Sequence, residues 1–185
     1  MSADSMSEDG ERCRVGAATI LAHSEEKTMH PWRLSGLDPA PFRALFELSD
    51  GELQRLGAVR QTADATPGFP CRVSLEDAPV GTELLLVPFE HHPARSPYRA
   101  SGPIFVRKGT AQRDLDPGEV PATVLRRLIS LRAYDADAMM VDATVCDGPE
   151  VAAALDGFFA NVAVDYVHLH FAKRGCFSCV ARRAG

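Results

Sequence analysis

Alternation of side chains with period two is the feature that most limits how this chain can fold. Val167, Leu169 and Phe171 interleave with Tyr166, His168 and His170, and Ile129, Leu131 and Ala133 interleave with Ser130, Arg132 and Tyr134. That period belongs to a strand with one face buried, because successive side chains point to opposite sides of a sheet. A third alternation sets Met139, Val141, Ala143 and Val145 against Met140, Asp142 and Thr144. With a turn at Asp135–Asp137 it predicts a hairpin whose apolar faces match. That register brings Arg132 diagonally beside Asp142 as a sheet-surface ion pair.

The rest of the chain supplies strands and helices in no strict strand–helix alternation. Asp38–Leu48 predicts a helix with Phe42, Leu45 and Phe46 on one face, and Ser49 with Glu52 forms a capping box ahead of a short helix closed by Gly57. Strands are expected at Cys71–Glu76, Glu83–Phe89 and Ile104–Lys108. The continuous apolar run Leu84–Val87 marks a central strand covered on both faces. A helix is expected at about Pro121–Ile129. A stronger one starts at Asp147-Gly-Pro-Glu150 and carries Val151, Ala154, Leu155, Phe158, Phe159 and Val162 as a buried stripe. The last strands run from about Val164 to Ala172 and from Cys176 to Ala181. The expected class is α+β, a single domain over 30–185 with a mainly antiparallel sheet and two to four helices packed on it.

Residues 1–29 read differently, with acids at Asp4, Glu8, Asp9, Glu11, Glu25 and Glu26 against Arg12, Arg14 and Lys27. Their composition predicts a disordered N-terminal extension, for which a true translation start at Met29 is one explanation. The apolar run Val15–Ala22 is too short and too acidic in its flanks for a membrane span or a signal peptide, so a cytoplasmic protein without membrane contact is expected. A net charge of -5 without a basic stripe excludes the usual nucleic-acid binders. Beyond Met29 the only lysines are Lys108 and Lys173, so the cations are almost all arginines, which favours bidentate anion contacts.

Two constellations carry chemistry. Alternation puts His168 and His170 on one strand face, as metal ligands or a general base, and Cys176 and Cys179 follow shortly. The four are the ligand types of a tetrahedral zinc or other divalent-metal site. Positions three apart on a regular strand face opposite ways, so only a bulge near Gly175 would aim both sulfurs at the histidines. The alternative for this pair is a thiol redox motif, and the structural alternative is two buried thiols beside hydrogen-bonded imidazoles. The second constellation is the stiff loop Glu90–Pro103, where His91, Arg95, Tyr98, Arg99 and Ser101 are candidates for holding a small anion. The competing possibility is an exposed loop whose arginines pair with surface acids. Cys71 and Cys146 stand alone, so no disulfide framework is expected.

Four stretches in order, Pro67–His91, Ser96–Arg107, Leu131–Asp142 and Val167–Cys179, resemble a bacterial family known only as domain of unknown function 1203. The resemblance runs from about Trp32 to the end and implies a short single-domain protein beginning near Met29. The family pattern places Asn after the second histidine, where this chain has Phe171. No activity is implied. The expected function is binding of a small anionic molecule between the Arg95–Ser101 loop and the His168/His170 face, with or without a metal, and an enzyme is neither required nor excluded. The other expectations are a non-catalytic interaction or regulatory protein and a thiol redox protein.

Overall fold

A computed structural model of the chain describes residues 31–185. The expected extension over 1–29, with Cys13, lies outside the described residues. In chain order the elements are Trp32–Ser35 (β1), a 3₁₀ helix Ala40–Glu47, Asp50–Arg55 (α1), Val59–Thr62 (β2), Glu83–His92 (β3) and Ala100–Arg107 (β4). Then follow Ala122–Leu125 (α2), Leu128–Tyr134 (β5), Met140–Asp147 (β6), a 3₁₀ turn Gly148–Glu150, Val151–Ala160 (α3), Tyr166–Phe171 (β7) and Cys176–Arg183 (β8).

The strands form two antiparallel sheets, one ordered β1-β8-β7-β5-β6 and one ordered β2-β3-β4. The expected α+β class with antiparallel sheets is what the chain adopts. One face of the larger sheet presents Ile129, Leu131, Ala133, Val167, Leu169 and Phe171 to α3, which lays Val151, Leu155, Phe158 and Phe159 on it. The alternation read from the sequence thus produces the main core. Trp32 is fully buried there, its Nε1 donating to Asp156 Oδ1 at 2.7 Å.

The other face of that sheet meets the smaller sheet. Leu85 and Val87 of β3 and Ile104 and Val106 of β4 form a second core with Phe42 and Phe46 of the 3₁₀ helix and with Phe177 of β8. Leu84, on the far side of β3, is equally buried against Ala63 and Ala78. The apolar run Leu84–Val87 is therefore a central strand packed on both sides, as its composition requires.

Several local expectations are corrected. Cys71–Glu76 is a buried turn rather than a strand: Cys71 N donates to Glu76 O, Leu75 N to Cys71 O, and Leu75 has φ 55°. Residues 38–48 contain a 3₁₀ helix rather than an α-helix, although Phe42 and Phe46 are buried as expected. The expected helix Pro121–Ile129 is limited to α2, because the chain re-enters the sheet at Leu128. Val162 lies beyond the end of α3 and is 92% exposed.

The β5–β6 hairpin takes the other register. Arg132 pairs with Ala143 and Ala133 with Asp142, with a bulge between Ala133 and Tyr134. Arg132 and Asp142 therefore lie on opposite faces. The register that would place Asp142 in a core is harmless here, since β6 is the sheet edge and Asp142 stays in solvent.

Candidate functional site

The inner face of β3 carries Leu85, Val87 and Phe89, all turned toward the larger sheet, and a bulge after Phe89 ends this run at His91 and His92. The strand is longer than its sequence suggests, so these two histidines sit on a sheet end and only Pro93–Arg99 form the connecting loop. On the facing sheet, β5 pairs with β7 so that Ser130 lies opposite His170, Arg132 opposite His168 and Tyr134 opposite Tyr166. Cross-strand partners share a face, so the polar halves of the two alternating segments become one surface.

Four imidazoles meet there. The ring of His91 stacks on Phe177 at 5.3 Å and lies 5.0 Å from His170 and 6.0 Å from His168. His92 lies 5.2 Å from His168 and 4.5 Å from Tyr134. Tyr98 closes the cluster with its ring 6.1 Å from that of Tyr134.

Hydrogen bonding assigns two tautomers. His92 Nδ1 donates to the Tyr98 carbonyl at 2.8 Å, so the other nitrogen, Nε2, accepts from the Tyr166 hydroxyl at 2.7 Å. His170 Nδ1 donates to the Gly175 carbonyl at 3.1 Å, which leaves the ring's lone pair on Nε2. That atom, His168 Nδ1 and His91 Nδ1 are buried without a hydrogen-bond partner among the described residues. The Phe89 carbonyl favours a proton on His91 without reaching hydrogen-bonding geometry to Nδ1. Buried polar atoms in native structures are nearly always satisfied, so these orphan ring nitrogens set the imidazole face apart from the rest of the sheet.

The electrostatics are one-sided. Burial, reinforced by neighbouring His170, His92, His91 and Arg182, pushes His168 down to about 2. Burial followed by the Arg132 charge brings His170 to about 4, the Gly175 carbonyl acting in the opposite sense. His91 is lowered by the same two causes. The hydroxyls of Tyr134 and Tyr166 are held protonated, chiefly by burial. Arg132 hydrogen-bonds Tyr134 and, among the described residues, forms no ion pair with a carboxylate. The cluster thus sets His91, His168 and His170, whose protonation burial disfavours, beside the Arg132 guanidinium.

Of the residues expected from sequence, His91, Tyr98, His168 and His170 come together. Arg95, Arg99 and Ser101 stay in solvent, and Arg99 donates to Glu90 Oε1 at 2.6 Å. The expected zinc set does not assemble. A bulge in β8 sets Cys179 opposite Leu169 and Cys176 opposite Phe171, so both cysteines lie across from core residues, on the face away from the imidazoles. Among the described residues no group of three or more His, Cys, Asp or Glu side chains is arranged to hold a metal ion. Burial raises the Cys179 thiol to about 12, which leaves it unsuited to thiol redox work. His92, Arg132, Tyr134 and Tyr166 were missed as site residues. The alternation of β5 and β7 placed three of them on polar faces, but nothing in the sequence paired those strands.

The family model described as protein of unknown function (DUF1203) matches residues 68–183. This chain belongs to that family. No curated protein and no solved structure matches it. The match starts well after Trp32, where the resemblance was expected to begin, so β1, the 3₁₀ helix, α1 and β2 fall outside it. Every residue of the imidazole cluster falls inside.

Proposed function

We propose that this DUF1203 protein binds a small monoanion, a carboxylate in the simplest case, on the imidazole face, and takes up a proton as it does so. The observation that carries this reading is the unpartnered ring nitrogens of His168 and His170 beside the unneutralised guanidinium of Arg132. Arg132 supplies the charge and a planar pair of donors for a carboxylate. An anion beside two imidazoles whose protonation is suppressed by burial raises their proton affinity, so binding and proton uptake are linked. His170 Nε2, which carries the ring's free lone pair, is the first acceptor for that proton. His91, His92, Tyr98, Tyr134 and Tyr166 shape and orient the site. The loop residues Arg95, Arg99 and Ser101 are left at its outer margin, and no metal is needed.

Calorimetric titration with acetate, pyruvate and benzoate at pH 6, in two buffers of different ionisation enthalpy, tests the reading. At least one carboxylate should bind with a heat that depends on the buffer, and Arg132→Ala should weaken it by about tenfold or more, as expected for a lost charged hydrogen bond. Binding without a buffer-dependent heat would remove the proton linkage. No binding of any of the three would remove the reading itself.

A second reading, a non-catalytic interaction protein, is favoured by one observation: the edge strand β6 exposes Val141 at 42% and Val145 at 57%. Unprotected apolar edges invite strand pairing. A concentration-dependent mass in light scattering that Val145→Lys abolishes would support it, and a constant monomer mass would count against it.

A further inference from the structure

A cleft of about 640 Å³ opens beside the β7–β8 turn, where Arg72, Arg126, Arg127, Lys173 and Arg174 line it against one carboxylate among the described residues, Asp64. It is the converse of the bland surface that a net charge of -5 suggested. Arg127 is partly neutralised, because Asp77 accepts from both of its terminal nitrogens at 2.6 and 3.0 Å. Arg72, Arg126, Lys173 and Arg174 have no ion pair among the described residues.

Arg72 is the decisive group. It is only 3% exposed, yet its two hydrogen bonds go to carbonyls: Nε to Phe177 O at 2.8 Å and Nη1 to Pro70 O. Burial lowers its pKa to about 10, so it is still a cation at neutral pH. A buried cation is normally paired, since taking it out of water without a counter-ion is costly. Among the described residues Nη2 has no hydrogen-bond partner, and Arg72 lines the cleft, so the missing counter-charge belongs there. The remaining wall is apolar, with Phe69 and Phe105 in contact at 5.1 Å and Phe171 under the guanidinia of Arg72 and Arg127, each 5.0 Å from its centre.

We infer that this cleft is a second binding site, taking an organic phosphate monoester with a flat apolar body, its phosphate seated on Arg72 and its body against Phe69 and Phe105. A dianion answers the charge excess better than a carboxylate, and Arg forks match phosphate oxygens. The volume is that of an ordinary small-molecule pocket. A bounded cleft of this size, on a chain of net charge -5, favours a small molecule over nucleic acid, whose binders track their ligand with a continuous basic surface. This site shares no lining residue with the imidazole face, and its test is independent of that reading.

The test uses phenyl phosphate, inorganic phosphate and phenol as probes on the full chain, by calorimetry and thermal shift. Phenyl phosphate should bind saturably and raise the Tm, at least about tenfold more tightly than inorganic phosphate, and phenol should not bind measurably. The double variant Lys173→Gln/Arg174→Gln, both exposed and so free of folding risk, should weaken phenyl phosphate by about tenfold or more. Arg72→Gln should weaken it further, while Arg132→Ala should leave it unchanged. Cys176 lines the cleft, so phenyl phosphate should slow its alkylation by iodoacetamide in peptide mapping and leave Cys146 as an unaffected control. Failure of phenyl phosphate to bind, or binding insensitive to the double variant, overturns the site. Equal affinity for inorganic phosphate overturns the ligand class, and binding of a single-stranded RNA 12-mer in place of phenyl phosphate overturns the small-molecule choice.

Discussion

At the scale of single residues, the pair Tyr166–His92 shows how a polar group is accommodated between two sheets. The phenol donates to an imidazole whose other nitrogen is held by a backbone carbonyl, so both side chains are satisfied and fixed in orientation. Tyr166→Phe keeps the ring and deletes the donor, leaving His92 Nε2 buried and alone. The expected loss of stability is about 1–3 kcal/mol, the cost of an unsatisfied buried acceptor, measured by urea denaturation. Val162 offers the opposite test. Helical spacing makes it a core residue, but it is exposed beyond the last turn of α3. Val162→Ser should change stability by less than about 0.5 kcal/mol, whereas Phe158→Ala should cost about 3–5 kcal/mol.

At the scale of elements, the sheet faces are decided by how helix and strand meet. The start of α3 depends on Gly148, where a Cβ would sit 2.3 Å from the Leu125 carbonyl oxygen at the end of α2. The Glu150 carboxylate accepts from Asp147 N at 3.1 Å and closes the same corner. Gly148→Ala must push α2 away from α3 and should lower stability by about 1–3 kcal/mol, as overpacking does. A matching drop in the Tm is the readout, and an unchanged Tm would mean that the corner gives way without cost. The corner matters to the cleft as well, since Arg126 and Arg127 follow directly from α2.

At the scale of the whole molecule, the buried histidines make stability depend on pH. Burial holds both His168 and His170 below the ordinary 6.5, reinforced for His168 by His170, His92, His91 and Arg182 and for His170 by Arg132, His91 and His92. The unfolded chain therefore binds more protons than the folded one below about pH 6.5. The stability associated with neutral His170 is complete above that pH and is lost as the pH falls through 6.5 toward about 4; for His168 the loss continues toward about 2. Each histidine should cost about 1.4 kcal/mol per pH unit within its window. Denaturation midpoints measured between pH 7.5 and 4.5 should fall accordingly, and the double variant His168→Gln/His170→Gln should flatten that fall. A fall of the same slope in the double variant would assign acid sensitivity to other groups.

The sequence by itself determined what depends on near neighbours along the chain. Period-two alternation placed Val167, Leu169 and Phe171 in a core and Tyr166, His168 and His170 on the opposite face. Ser49 and Glu52 capped α1, and Leu84–Val87 became a central strand. Tertiary structure alone decided what depends on partners far apart in sequence. The pairing of β5 with β7 set Arg132 beside His168, and the packing of β3 carried His91 and His92 to the same surface. The bulge in β8 turned Cys176 and Cys179 away from the histidines, removing a metal set that spacing alone had suggested. The basic cleft gathers Arg72 from a buried turn, Arg126 and Arg127 from a helix end, and Lys173 and Arg174 from a hairpin. Side-chain period is a local steric property, readable from one strand at a time. Strand order, bulge position and the meeting of distant cations follow from how the faces bury together.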